Sequence, residues 1–98
     1  ISVAHANFGA YTIVFSKSAE KFLKTLDKSA RQRVITKIKE LRTNSENLDI
    51  KKLKSRRALY RLRVGRFRVI YTIESERLVI YIVEVGHRKN IYQSSSFA

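Results

Sequence analysis

The chain has 98 residues, with 21 Lys or Arg against 8 Asp or Glu, a formal net charge of +13, and no Cys. That size fits one small two-layer domain, and that charge calls for a polyanion: nucleic acid, an anionic membrane or an acidic protein. No cysteine and only two His leave no disulfide framework, no thiolate chemistry and no expected metal or other cofactor. No apolar run approaches the roughly 18 residues needed to cross a bilayer, so a membrane partner is not expected and the cytoplasm is the default compartment.

The opening ISVAHANFGA has neither a charged n-region nor a long apolar segment. Residues 1–10 therefore read as a loose extension rather than a signal peptide. Tyr11 to Phe15 is β-branched and aromatic, and predicts a first strand. Ser16 caps a helix to about Leu26, with Ala19, Phe22, Leu23 and Leu26 on one face. Ser29 with Gln32 makes a capping box for a second helix to about Arg42, burying Val34, Ile35, Ile38 and Leu41. The short break from Leu26 to Ser29 folds the two into an antiparallel hairpin.

Thr43 to Asp49 reads as polar loop. From Leu59 the hydrophobic period changes to two. It predicts strands Leu59–Val64, Phe67–Ile73 and Leu78–Val85, joined by tight turns at Gly65-Arg66 and around Glu74–Arg77, the second centred on Ser75-Glu76. The expected fold is α+β: a two-layer βααβββ domain over residues 11–92. A mainly antiparallel four-stranded sheet carries the helical hairpin on one face, and residues 93–98 form a tail.

Nine of the eighteen residues from Lys51 to Arg68 are Lys or Arg. Across a Gly65-Arg66 turn, Arg63 faces Arg68 and Arg61 faces Ile70. Strand alternation then puts Arg61, Arg63 and Arg68 on one face, and Tyr60, Leu62, Val64, Val69 and Tyr71 on the core face. Like charges directly across a hairpin are destabilising. The cluster is either an anion site or a set of solvated arginines. Extending the register across the second turn adds Tyr81, Val83 and Val85 to the arginine face. That apolar floor suits stacked bases beneath a phosphate backbone, or cover by a further element or partner chain. The last strand exits through VGHRKNIY. His87 there can transfer protons near neutrality, and Tyr92 can stack or hydrogen-bond. Lys51, Lys52, Lys54, Arg56 and Arg57 are either an RNA footprint or a solvated basic loop. Lys17, Lys21, Lys24 and Lys28 line the wet side of the first helix.

The run YRLRVGRFRVIYTIESERLVIYIVEVGHRKNIY (60–92) resembles the C-terminal half of RelE-type toxins of the RelE/ParE toxin–antitoxin superfamily. YTIVFSKSAEKFLKTLD (11–27) is similar to their first strand and helix. The resemblance implies a toxin that cleaves mRNA in the ribosomal A site by 2′-OH attack, without a metal. It also implies an acidic or amphipathic antitoxin that wraps the basic sheet. The other implied partners are the 70S ribosome, its rRNA and the mRNA. Carried over, Arg68 matches the arginine that contacts the scissile phosphate. Arg88 matches the one that stabilises the transition state and leaving group, and Tyr92 the tyrosine that orients the substrate. Arg61 and Arg63 stand where studied members carry lysines. Arginine clamps phosphate well but carries protons poorly, so His87 becomes the candidate acid or base. Two other readings stay open: a ParE-type toxin that inhibits DNA gyrase, and an RNA-binding protein without catalysis.

Overall fold

Ser16 ends the first strand and starts the first helix within one residue. Its backbone is extended, its hydroxyl accepts the Ala19 N–H at 3.0 Å, and the same hydroxyl donates to the Val83 carbonyl at 2.8 Å. One side chain thus caps the helix and ties it to the last strand. The computed structural model describes residues 10–43, 45–53 and 58–87. Residues 1–9 of the loose extension expected at 1–10, and the tail expected at 93–98, lie outside the described residues. The elements are β1 (Thr12–Phe15), α1 (Lys17–Lys24), α2 (Lys28–Glu40), a 3-10 turn (Ser45–Asn47), β2 (Asp49–Lys52), β3 (Leu59–Val64), β4 (Phe67–Glu74) and β5 (Val79–His87).

The strands form one sheet in the order β1-β5-β4-β3-β2, with β1 parallel to β5 and every other pair antiparallel. The helices bury Ala19, Leu23, Ala30, Val34 and Ile38 against Leu62, Val64, Phe67, Val69, Tyr71, Ile80, Ile82 and Val85. Both predicted apolar stripes are used as expected, with Phe22, Leu26 and Ile35 at the margin. Burying each Leu, Ile or Phe here contributes roughly 1.5–3 kcal/mol, so the core lies between the hairpin and one sheet face. Among the described residues no helix is long and apolar enough to cross a membrane.

Four details differ from the sequence reading. First, the sheet has five strands, because Asp49–Lys52 pairs with β3 along the edge. The segment is DIKK, and of its four side chains Ile50 alone packs against the core. Edge strands are commonly blunted with charge, so no alternating apolar signal marks this one. Second, α2 is capped by Asp27, whose carboxylate accepts the Ala30 N–H at 2.8 Å, and not by Ser29. An ionised acceptor beside the helix N-terminus is the stronger cap.

Third, the β4–β5 turn spans Ser75 to Leu78 rather than Glu74 to Arg77, one residue later than expected: Glu74 pairs with Val79, and Leu78 sits at φ +54 inside the turn. An Arg77–Glu74 ion pair of 3.2 Å closes over it. Fourth, the register slips between Ile70 and Tyr71, since Ile70 pairs with Glu84 but Tyr71 with Ile82. Val83 is the extra residue of a β-bulge. Such an insertion turns every later side chain to the other face. Val85, expected among the arginines, pairs with Val69 in the core.

Candidate nucleic-acid interface

The β3–β4 hairpin has the predicted register: Val64 opposite Phe67, Arg63 opposite Arg68, Leu62 opposite Val69 and Arg61 opposite Ile70. Leu62, Val64 and Val69 belong to the helix-facing core, so alternation carries Arg61, Arg63 and Arg68 onto the face away from the helices. Three guanidinium side chains on one face repel each other, and folding alone does not favour that placement.

Arg68 is the extreme member. It is 4% exposed, and its Nε and Nη1 have no hydrogen-bond partner among the described residues. Its partner on β5 is Gly86, which offers no side chain to answer the charge. The Nε of Arg61 is likewise buried and unpartnered. A buried donor left unsatisfied costs about 1–3 kcal/mol, more when it carries charge. Donors held at that cost suit an anion with several acceptor oxygens, as a phosphate has.

The floor beneath them is apolar. Leu59 and Ile70 are buried together on this face, with Leu53 and Val83 packed against them. Tyr81 pairs with Thr72 further along, half-buried. Val83 and Tyr81 were expected here. Leu59 and Leu53 were not, although the strand alternation that placed Arg61 also places Leu59. Cationic groups above an apolar, partly aromatic floor match what single-stranded nucleic acid needs: charge for the backbone and surface for the bases.

Asp49 is the residue that sequence reasoning missed. From the β2 edge it lies opposite Arg63, and its two oxygens reach Arg61 Nη2 at 2.9 Å and Arg63 Nη1 at 4.0 Å. Arg68 stands outside this pairing. Lys51, opposite Arg61, joins the same face, whereas Lys52, opposite Tyr60, faces the helix side. Neither the strand nor its carboxylate is visible without the β2–β3 register.

His87 is not brought to the arginines. It pairs with Phe67, a core-face residue, and its ring packs against Phe67 at 5.3 Å and edge-on against Phe22 at 5.7 Å. The imidazole therefore lies on the opposite side of the sheet from Arg68, and the expectation that it stands beside the arginines is corrected on that ground. Alternation through the bulge decides this. Lys54, Arg56, Arg57, Arg88 and Tyr92 lie outside the described residues.

Comparison with known proteins agrees with this architecture. Residues 13–92 match the family described as "ParE toxin of type II toxin-antitoxin system, parDE". Toxin RelE3 of Methanocaldococcus jannaschii is 36% identical over 84 residues, covering 82% of this chain and 93% of that protein. The fold is similar to the archaeal RelE–RelB complex from Pyrococcus horikoshii, with a TM-score of 0.68 and 30% identity over 80% of this chain and 94% of that one. It is similar to the RelB–RelE antitoxin–toxin complex from Methanococcus jannaschii as well, with a TM-score of 0.68 and 32% identity over 84% and 98%. With the family match over residues 13–92 and relatives of 30% identity or more over most of both chains, the chain belongs to the RelE/ParE family and is a RelE-type toxin of a type II toxin–antitoxin system.

Proposed function

We propose that this toxin is a ribosome-dependent, metal-independent endoribonuclease that cleaves mRNA in the A site and thereby stops translation in the cytoplasm. The observation that carries the reading is Arg68, a buried guanidinium with two unpartnered nitrogens beside Arg61 and Arg63. RNA supplies its own nucleophile. The 2′-OH attacks the adjacent phosphorus in line, its proton leaves, and the 5′-oxygen departs with a proton to give a cyclic phosphate. What the protein must add is alignment and stabilisation of the extra negative charge, usually the largest single term.

Arg68 supplies that stabilisation from a fixed, water-poor position. Arg61 and Arg63 hold the backbone, with Lys51 beside them and Lys52, Lys54, Arg56 and Arg57 as a wider rRNA footprint. By resemblance, Arg88 stabilises the leaving group and Tyr92 orients the substrate. No histidine stands on the arginine face among the described residues. That fits slow cleavage of free RNA, with the ribosome contributing the missing alignment. The RelE relatives from Pyrococcus horikoshii and Methanococcus jannaschii are found in complexes with RelB. For this chain the corresponding partner is an acidic or amphipathic antitoxin covering the same cationic face.

The match to a family described by its ParE members favours a second reading, inhibition of DNA gyrase. Primer extension on an in vitro translation reaction, run beside a gyrase supercoiling assay, separates the two. The nuclease reading expects ribosome-dependent cut sites that vanish in Arg68→Ala, and unaffected supercoiling. Cutting by a folded Arg68→Ala protein, or loss of supercoiling without cutting, refutes it. Salt-sensitive RNA binding with no cut product points to the non-catalytic binder.

A further inference from the structure

Asp49 stands where the arrangement of charge leads one to expect an RNA phosphate. One oxygen lies 2.9 Å from Arg61 Nη2 and the other 4.0 Å from Arg63 Nη1, so a single anion bridges two guanidinium groups. Two non-bridging oxygens of a phosphodiester can divide themselves between two arginines in the same way. The carboxylate is half exposed, at 53%, and it sits on an edge strand. Arg61, by contrast, is held at 13% side-chain exposure. Arg61 is fixed from below, while Arg63, at 46% side-chain exposure, and the carboxylate are reached from solvent.

We propose that Asp49 is a built-in counter-anion of the RNA site: it occupies Arg61 and Arg63 in the free toxin, and an RNA phosphate must displace it to bind. The inference deepens the RNA-cleaving reading above and rests on it. Three consequences follow from charge alone. The carboxylate lowers the repulsion among Arg61, Arg63 and Lys51 when no RNA is bound. It opposes an incoming phosphate, so it weakens binding at physiological salt. An exposed pair of this kind is individually weak, so displacement is easy once the phosphate arrives. Glu74 and Glu84 also stand on this face: Glu74 is ion-paired with Arg77 at 3.2 Å, and Glu84 lies in the same row as Arg61, one strand away across Ile70, whereas Asp49 is the carboxylate in contact with both Arg61 and Arg63. Asp49 is thus a positioning residue that sets how readily RNA engages, while the charge at the reacting phosphorus is answered by Arg68.

The test is equilibrium binding of a defined single-stranded RNA oligonucleotide to wild type and Asp49→Asn, followed by ribosome-dependent cleavage kinetics of both. Asp49→Asn is expected to bind about three- to tenfold more tightly, the value of one or two exposed ion pairs. Its log Kd should depend more steeply on log salt. KM should fall with kcat within about twofold, because both ground and transition states gain the same contact. Equal or weaker RNA binding by a folded Asp49→Asn protein overturns the inference. So does a fall in kcat, which would make Asp49 a scaffold for productive geometry.

If Asp49→Asn does not fold, the wild type still decides the matter. The Asp49 side-chain carboxyl carbon must shift in NMR spectra as RNA saturates the protein, and an unmoved resonance sinks the idea. Wild type that binds no RNA at all removes the functional reading and this inference together. Binding by wild type with no response at Asp49 removes the inference alone.

Discussion

Arg68 on β4 is paired across the sheet with Gly86 on β5, a neighbour with no side chain, while its partner on the other side is another arginine, Arg63. The most buried charge on this face therefore lies between like charge and open backbone. Function and stability are set against each other at this one position.

That conflict makes the first prediction. Arg68→Met keeps much of the side-chain volume and removes a buried, incompletely paired charge. It should raise unfolding stability by about 1–3 kcal/mol, the cost of leaving such donors unsatisfied. The same change should reduce mRNA cleavage by about 10²–10³-fold, the usual effect of deleting one transition-state donor. Urea titration and single-turnover cleavage read the two effects separately. A destabilised Arg68→Met would mean that the guanidinium serves the fold.

His87 yields the second. Its ring packs edge-on against Phe22 and tilted against Phe67 and stands away from Arg68, so its value lies in shape. His87→Phe should retain cleavage within about threefold and keep the wild-type pH–rate profile, because the aromatic contacts survive. His87→Ala loses both ring contacts and should cost about 1–2 kcal/mol of stability, from about 0.5–1.5 kcal/mol per aromatic pair. Equal loss of activity in both variants would restore the imidazole to proton transfer.

The third concerns the turn that sets the arginine register. Gly65 adopts φ +58, and a Cβ built there meets nothing closer than Arg33 Nη1 at 3.9 Å. Space is available, so the penalty of Gly65→Ala is backbone strain alone, about 1–2 kcal/mol. Gly65→Asn should cost less, since Asn tolerates the left-handed region. Thermal melts of the two variants against wild type test the ranking.

Alkaline stability supplies the fourth. Burial, with a smaller contribution from the stacked Tyr60 ring 5.4 Å away, pushes the Tyr71 phenol well above its ordinary value of 10.0. The unfolded chain releases this proton above about pH 10, and the folded chain holds it. The stabilising effect is therefore complete below that pH and declines as pH rises beyond it. The slope approaches about 1.36 kcal/mol per pH unit. In urea titrations from pH 8 to 11, Tyr71→Phe should flatten this alkaline decline. An unchanged pH dependence would assign the decline to other groups.

Much of this molecule was legible from residue order. Helical spacing located both stripes, and the two-residue Gly65-Arg66 turn fixed Arg63 against Arg68, because strand alternation has a period of two and a tight turn leaves no freedom of register. Three features of the site were not legible. Asp49–Lys52 lacks the apolar alternation that announces a strand, so the carboxylate beside Arg61 and Arg63 stayed hidden until β2 paired with β3. A four-residue turn with Leu78 at φ +54 displaced the start of β5. The bulge at Val83 then reversed the faces beyond it, sending Val85 to the core and His87 toward Phe22. Local pattern determined which residues form the hairpin and that its arginines share a face. Long-range strand pairing decided what stands beside them, because register is set by hydrogen bonds between segments whose own sequences do not encode their alignment.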